Sequence, residues 1–217
     1  MKKLLIMLVI AGVVYHFAGD QIKTQAQAWF KDGAFDDDGN PVALVFTTSD
    51  CGKYCADMLA FLRAHRVPYT ELNVSDNAQN LKRMQKLHGG NTYPYLVIGN
   101  DKVSGFYKQK LISLLAINFG DAALNRIERA AMASHFDEAG QPIVVLYATS
   151  WCGYCGLARK FFAENDINYR EVDVERSTNG QLFYKSLYAT GYPLIYIGHT
   201  AYFGFPNAEL EAVLTSS

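Results

Sequence analysis

The sequence of 217 residues is poor in cysteine, proline and charge. Four cysteines are too few for a scaffold held together by many disulfides. Six prolines, with no Pro- or Ser-rich stretch, leave no sign of a long extended linker or low-complexity segment. Charged residues make up 19% and nearly cancel, to a formal net charge of -1, so no broad basic field exists to neutralise phosphates and nucleic acid is not an expected partner. What is present is half hydrophobic, the composition of an ordered globular protein, and the length suits one large domain or two of about 100 residues.

The longest apolar run follows Lys2 and Lys3 and extends from Leu4 to Gly19, interrupted by Tyr15 and His16. A basic start before an apolar stretch is an export signal. As a helix this run would measure roughly 24 Å, short of a ~30 Å hydrocarbon core by an amount that flanking residues can bridge. Residues 1–19 therefore read as a signal anchor or a signal peptide, the second requiring a cut near Ala26-Gln27-Ala28. The anchor is favoured, with its basic end in the cytoplasm and a tether through residues 4–19. The body is then expected to be periplasmic or otherwise extracytoplasmic, held at the inner membrane.

Self-comparison organises the rest of the chain. Phe35-Asp36-Asp37-Asp38-Gly39-Asn40-Pro41 returns as Phe136-Asp137-Glu138-Ala139-Gly140-Gln141-Pro142, an offset of 101 residues. The same offset takes Cys51 to Cys152. It shortens by one residue between the cysteines and by one more before Pro94 and Pro193. Each copy has an apolar β-rich run, Val42 to Thr47 or Ile143 to Tyr147, entering a cysteine pair. A helix follows, with Met58, Phe61 and Leu62 or Leu157, Phe161 and Phe162 on one face. Then come an alternating strand at Tyr69 to Val74 or Tyr169 to Val174, a helical stretch at Asn77 to Leu87 or Gly180 to Ala189, and a strand opening at Pro94 or Pro193. A short strand into Gly105 or Gly204 and a closing helix complete the unit. This order predicts an α/β fold, a central mixed sheet flanked by helices in each of two domains at 35–120 and 136–217. Helical linkers are expected at 20–34 and 121–135, and cleavage after Ala28 would sever the first of them, which is why the anchor is favoured.

A strand that delivers a cysteine pair to the start of a helix is a chemical arrangement. The helix amino terminus carries partial positive charge and free N–H groups, which favour a thiolate at Cys152. That thiolate can open a substrate disulfide, and Cys155, one turn on, can resolve the mixed disulfide. In the first copy Lys53 makes the motif Cys51-Gly52-Lys53-Tyr54-Cys55. Positions four apart share a helix face at a Cα separation of about 6 Å, which still permits a disulfide. Asp50 replaces Trp151 of the second copy and opposes a thiolate at Cys51, so a weaker, specialised or purely substrate-binding first domain is expected.

With Tyr147-Ala148-Thr149-Ser150-Trp151-Cys152-Gly153-Tyr154-Cys155, then Gly191-Tyr192-Pro193, Gly198 and Gly204, the second copy resembles glutaredoxin within the thioredoxin superfamily. The resemblance covers both copies, as two tandem glutaredoxin-like domains. It implies a thioredoxin fold in each and a thiol-disulfide oxidoreductase acting on protein or small thiol substrates. Cys152 and Cys155, and with the reservation above Cys51 and Cys55, are its catalytic residues. It also implies cis peptide bonds before Pro193 and Pro94, and a substrate backbone pairing with Tyr192 as an added strand. Substrate contacts are expected from Trp151, Tyr154, Tyr192, Pro193, Tyr93 and Pro94. Trp151 is similar to the thioredoxin residue before the motif, and the Gly-Tyr dipeptide to that of periplasmic disulfide isomerases.

The pattern is also departed from. Glutaredoxins place a lysine three residues before the first cysteine to hold the glutathione carboxylate, where this chain has Thr149 and Thr48. Their later Gly-Gly-x-Asp signature is reduced to Gly204-Phe205-Pro206-Asn207 and Gly105-Phe106-Tyr107-Lys108. The stretch ending at Leu210 is similar instead to the glutaredoxin-like electron donors of ribonucleotide reductase. Expected partners are cysteine-containing proteins and either a redox partner protein or glutathione, whose place as a co-substrate stays open. No bound cofactor or metal is expected. The alternative is a non-catalytic thioredoxin-fold module that binds clients or a soft metal through paired thiolates. His65, His88, His135 and His199 are scattered and expected at surface or capping positions. Asp36 to Asp38 and Asp137-Glu138 read as solvated turns.

Overall fold

The computed structural model describes residues 33–215. The expected N-terminal helix and most of the 20–34 segment lie outside the described residues. Among those described, no helix is long and apolar enough to cross a membrane. Gly33 and Ala34, the end of the expected first linker, are not helical: the Ala34 N–H donates to Gly99 O at 2.7 Å, and its carbonyl accepts from Gly99 N at 3.1 Å. Of the described residues, those up to Cys55 with Pro68–Gly105 form one compact unit, and Ala56–Val67 with those from Phe106 onward form the other.

The first copy of the repeat is built on β1 (Ala43–Thr47), whose five residues are all buried, as expected of a strand covered on both faces. β1 pairs in parallel with β2 (Tyr69–Asn73) and antiparallel with β3 (Tyr95–Ile98), which turns into β4 (Asp101–Ser104). The sheet order is β2-β1-β3-β4. β2 lies at the edge, and its exposure does not follow the clean alternation read from sequence, because an edge strand shows more than one face to solvent. α1 (Gly52–Ala64) leaves the cysteine pair with Met58, Phe61 and Leu62 buried as expected. α2 (Ala78–Lys86) is capped by Asn77, whose side chain accepts from Gln79 N at 2.8 Å. Leu44, Phe46, Met84, Tyr95 and Val97 form the core.

The second copy repeats this order after α3 (Lys108–Phe119), a short 3-10 turn (Gly120–Ala123) and α4 (Arg126–Ala133). A continuous helical segment over 121–135 was expected. It is broken because Asn125 takes extended backbone and caps α4, bonding Ile127 N and Glu128 N while Glu128 reaches back to Asn125 N in a capping box. β5 (Val144–Ala148), β6 (Tyr169–Asp173), β7 (Leu194–Ile197) and β8 (Thr200–Phe203) form a sheet ordered β6-β5-β7-β8, with β6 parallel to β5. α5 (Gly153–Glu164), α6 (Gly180–Ser186) and α7 (Ala208–Thr215) complete it. The tandem thioredoxin-type architecture expected from the repeat is the architecture of the chain.

Three expectations about single residues are corrected. Leu157 is 47% exposed; the buried face of α5 runs through Cys155, Ala158 and Phe162 instead. His135 is fully buried, stacked on Tyr196, with its ring nitrogens 3.1 Å from Gly198 O and 2.9 Å from the Tyr147 hydroxyl. Burial pushes its pKa down to about 3, so it is a neutral core residue, not a surface one. His65 is also buried, its Nδ1 2.8 Å from Phe61 O and its Nε2 3.2 Å from the fully buried Glu128 carboxylate. Tyr188 donates its hydroxyl to the same carboxylate at 2.9 Å. Burial alone would lower the His65 pKa, but the bonds to Glu128 and Phe61 O outweigh it and the net shift is upward. Burial would likewise raise Glu128, and the bonds from His65, Asn125 N and Tyr188 bring it below the usual carboxylate range.

Candidate active site

β5 ends at Ala148 and α5 begins at Gly153, so Cys152 stands at the N-cap of the helix with extended backbone, φ -75° and ψ 108°. Its sulfur accepts the Cys155 N–H at 3.0 Å. This is the contact a thiolate needs at a helix start, a backbone donor aimed at the sulfur by the fold. Cys152 and Cys155 form a disulfide with a Cα separation of 5.2 Å. Cys155 is fully buried and Cys152 is 8% exposed, so Cys152 is the more accessible of the pair. At Gly153 and Gly156 a Cβ would point into open space, leaving that side of the helix start uncovered.

Cys51 and Cys55 are also joined, at a Cα separation of 5.7 Å, as the spacing of four allows. The extra residue is absorbed at Gly52, whose φ of +56° lies in the left-handed region that glycine enters without steric cost. The Cys51 N–H donates to Thr48 O at 3.2 Å, and Cys55 is buried.

The two late prolines take the same position in each unit. The Tyr93–Pro94 and Tyr192–Pro193 bonds are cis, as the resemblance implied; so is Phe205–Pro206, which it did not anticipate. Pro94 and Pro193 are buried, with their carbonyls bonded to Gly105 N at 2.8 Å and Gly204 N at 2.9 Å. Tyr93 and Tyr192 are half-buried.

Aromatic rings flank the second pair. Trp151 is 68% exposed and Tyr154 62% exposed, on the residues next to and between the cysteines. The Trp151 ring meets Tyr192 edge-on at 5.8 Å, and Tyr192 stacks on Tyr184 at 4.7 Å. Trp151 Nε1 donates to the Glu175 carboxylate at 3.0 Å, and the Tyr184 hydroxyl to Gly191 O at 3.0 Å. Burial pushes the Tyr184 phenol up to about 12, with Tyr192 adding to it, so it stays a neutral donor. Sequence reasoning missed Tyr184 and Glu175. The repeat held the signal, since they replace Met84 and Ser75 at matching positions. Tyr54, 66% exposed, is the first-copy counterpart of Tyr154 and was also passed over.

Thr149, at the position where a glutathione-binding lysine is expected, is 1% exposed. Its hydroxyl is buried and has no hydrogen-bond partner among the described residues, while its carbonyl accepts from Arg159 at 3.2 Å. Arg159 forks onto Glu171 with bonds of 2.7 to 3.2 Å, which fixes this loop. Position 149 therefore points inward and offers no cation to a carboxylate. Among the described residues no three His, Cys, Asp or Glu side chains gather into a metal site.

A family model described as Glutaredoxin matches residues 43–103 and 144–201, more than half of the chain and both cysteine pairs. Two curated relatives are mitochondrial glutaredoxin-2 proteins. The one from Rattus norvegicus is 36% identical over 45 residues, 21% of this chain and 29% of the relative. That from Pongo abelii is 28% identical over 67 residues, 31% of this chain and 42% of the relative. The matches thus span less than half the length of either relative. A solved structure of a mutated buckwheat glutaredoxin aligns at a TM-score of 0.34 and 17% identity, over 42% of this chain and 87% of that one.

Proposed function

Because the chain belongs to the glutaredoxin family, we propose that it is a dithiol-disulfide oxidoreductase with its main centre at Cys152 and Cys155. The observation that carries this reading is the Cys152 sulfur at the N-cap of α5, taking the Cys155 N–H, beside a buried partner sulfur. In the reduced enzyme the Cys152 thiolate attacks one sulfur of a substrate disulfide, forming a mixed disulfide and releasing one substrate thiolate. Cys155, losing its proton, then attacks the Cys152 sulfur. The Cys152–Cys155 disulfide forms and the second substrate thiol leaves, two electrons having passed to the substrate. Run backwards, the same steps oxidise a dithiol.

Trp151, Tyr154 and Tyr192 supply apolar contact for a cysteine-containing peptide, and the Tyr192–Pro193 backbone supplies an edge for it to pair with. A thiol donor returns the enzyme to its dithiol form. A redox partner protein is favoured over glutathione, since Thr149 is turned inward and presents no charge. The body is assigned outside the cytoplasm, tethered to the inner membrane through residues 4–19, on the strength of Lys2, Lys3 and the apolar run. Protease added to spheroplasts should digest it; protection until the membrane is permeabilised would overturn that location. For the chemistry, Cys152→Ser should abolish reduction of insulin disulfides with circular dichroism unchanged, and retained activity would refute it.

A further inference from the structure

Within the second compact unit, a cavity of about 270 Å³ opens where the end of α1 meets the turn leading into α4. Its wall carries His65, Arg66, Arg126 and Arg129 and no acidic side chain. Arg66, Arg126 and Arg129 are exposed, and none has a carboxylate partner within ion-pair distance among the described residues. Arg129 is steadied by a bond to Leu124 O at 3.3 Å. Glu128, the acid nearest them in sequence, makes no ion pair with them. It is fully buried and already engaged by Asn125 N at 2.8 Å, the Tyr188 hydroxyl at 2.9 Å and His65 at 3.2 Å. Asp121, on the preceding turn, forms no ion pair with them either. Three arginines thus line a concave site with no carboxylate within ion-pair distance of them among the described residues, and α4 adds the positive end of its dipole.

The repeat shows that the backbone does not demand this charge. Arg66 closes α1 in the left-handed conformation, φ 55°, with Arg66 N bonded to Arg63 O and Val67 N to Leu62 O. The matching turn of the second copy has Asp166 there, φ 52°, with Ile167 N bonded to Phe162 O. A residue of opposite charge serves the same turn, so the arginine answers to something other than the fold.

We infer that this cavity binds a small oxyanion carrying two or more negative charges, held by Arg66, Arg126 and Arg129. The planar forks of arginine suit phosphoryl and carboxylate oxygens alike, and the volume suits a compact ligand rather than a chain. Calorimetric titration of the full chain with pyrophosphate and, separately, citrate, at matched ionic strength, tests the site and tells phosphate from carboxylate chemistry by which binds more tightly. Saturable binding of one of them at one per chain is expected. It should weaken by about tenfold or more in Arg126→Gln/Arg129→Gln, and similarly in Arg66→Asp, the residue of the second copy. Insulin reduction should be unchanged in these variants, since none touches the cysteines. Absence of saturable binding for both anions overturns the inference, as does equal binding by variants that circular dichroism shows to be folded.

Discussion

The two copies share an element order and a strand pairing, yet the surroundings of their sulfurs differ at a few side chains. Both sheets run edge-centre-centre-edge with one parallel pair, and both bring a cis proline to the strand beside the cysteine strand. Around the sulfurs, Trp151 stands where the first copy has Asp50, Tyr184 where it has Met84, and Glu175 where it has Ser75. Ser75 takes the Ser49 N–H at 3.2 Å, a turn contact, whereas Glu175 holds the indole. Cys152 caps its helix through its sulfur, and the first copy absorbs an extra residue at Gly52. The fold follows from what the copies have in common, namely apolar central strands and the turn residues between them. On the proposed function, reactivity is set by the few positions where they differ.

The largest effect that would break this comparison is on turnover. Cys152→Ser should lower insulin-disulfide reduction about 100-fold or more, since it removes the attacking sulfur. Cys51→Ser should leave the rate within about threefold. Equal losses would show that the copies act as one relay. Next in size is a change at the end of the helices. His65 and its counterpart Asn165 make the same bond to the carbonyl four residues back, at 2.8 Å in each case. Only His65 also meets Glu128. His65→Asn should keep the first contact and cost about 3 kcal/mol by taking the ionic partner from a buried carboxylate, which keeps only its bonds from Asn125 N and Tyr188. The folded pKa of His65 is raised, so its contribution is full below the ordinary value of 6.5 and fades as pH rises through the raised value. That of Glu128 is lowered, so its contribution is full above 4.5 and fades as pH falls. Urea midpoints of wild type and variant should therefore differ most between these two pH values; a difference independent of pH would mean that packing, not charge, is lost.

The fold was legible because its signals are local. A five-residue apolar run such as Ile143–Tyr147 reads as a buried strand from its own side chains, within one residue of the observed Val144–Ala148. The cysteine pairs and their late prolines were equally plain. What could not be read depends on partners distant in the chain. His135 looked like a surface residue because Gly198 and Tyr147, which satisfy its ring, are brought to it only by the sheet. In the first copy the matching residues are Ala34, Phe46 and Val97, all apolar, in place of His135, Tyr147 and Tyr196. Leu157 was misjudged for a different reason: helical period alone does not fix which stripe faces inward, and Cys155 draws the buried stripe of α5 to Ala158 and Phe162.

Deleting Lys53 tests the spacing directly. It restores a two-residue interval between Cys51 and Cys55 and, in a Cys152→Ser background, should raise residual insulin reduction by about tenfold if spacing is what holds the first copy back. Adding Asp50→Trp should raise it further, because a carboxylate beside the sulfur opposes its ionisation. No gain from either would assign the difference to the Tyr184 and Glu175 positions.

The smallest effect is expected at the indole. Trp151 is mostly exposed, and its bond to Glu175 is a surface contact worth about 1 kcal/mol at most. Glu175→Ala should let the ring swing from its edge-on contact with Tyr192 and raise KM for a peptide disulfide by about two- to fivefold, leaving kcat alone. The split matters more than the size. A residue that only shapes the contact surface changes how often a disulfide is presented, while one that acts on the sulfur changes how fast it is attacked. Should kcat fall and KM stay, Trp151 would belong to the chemistry of Cys152, and its replacement by Asp50 would then account for the weaker copy without any appeal to spacing.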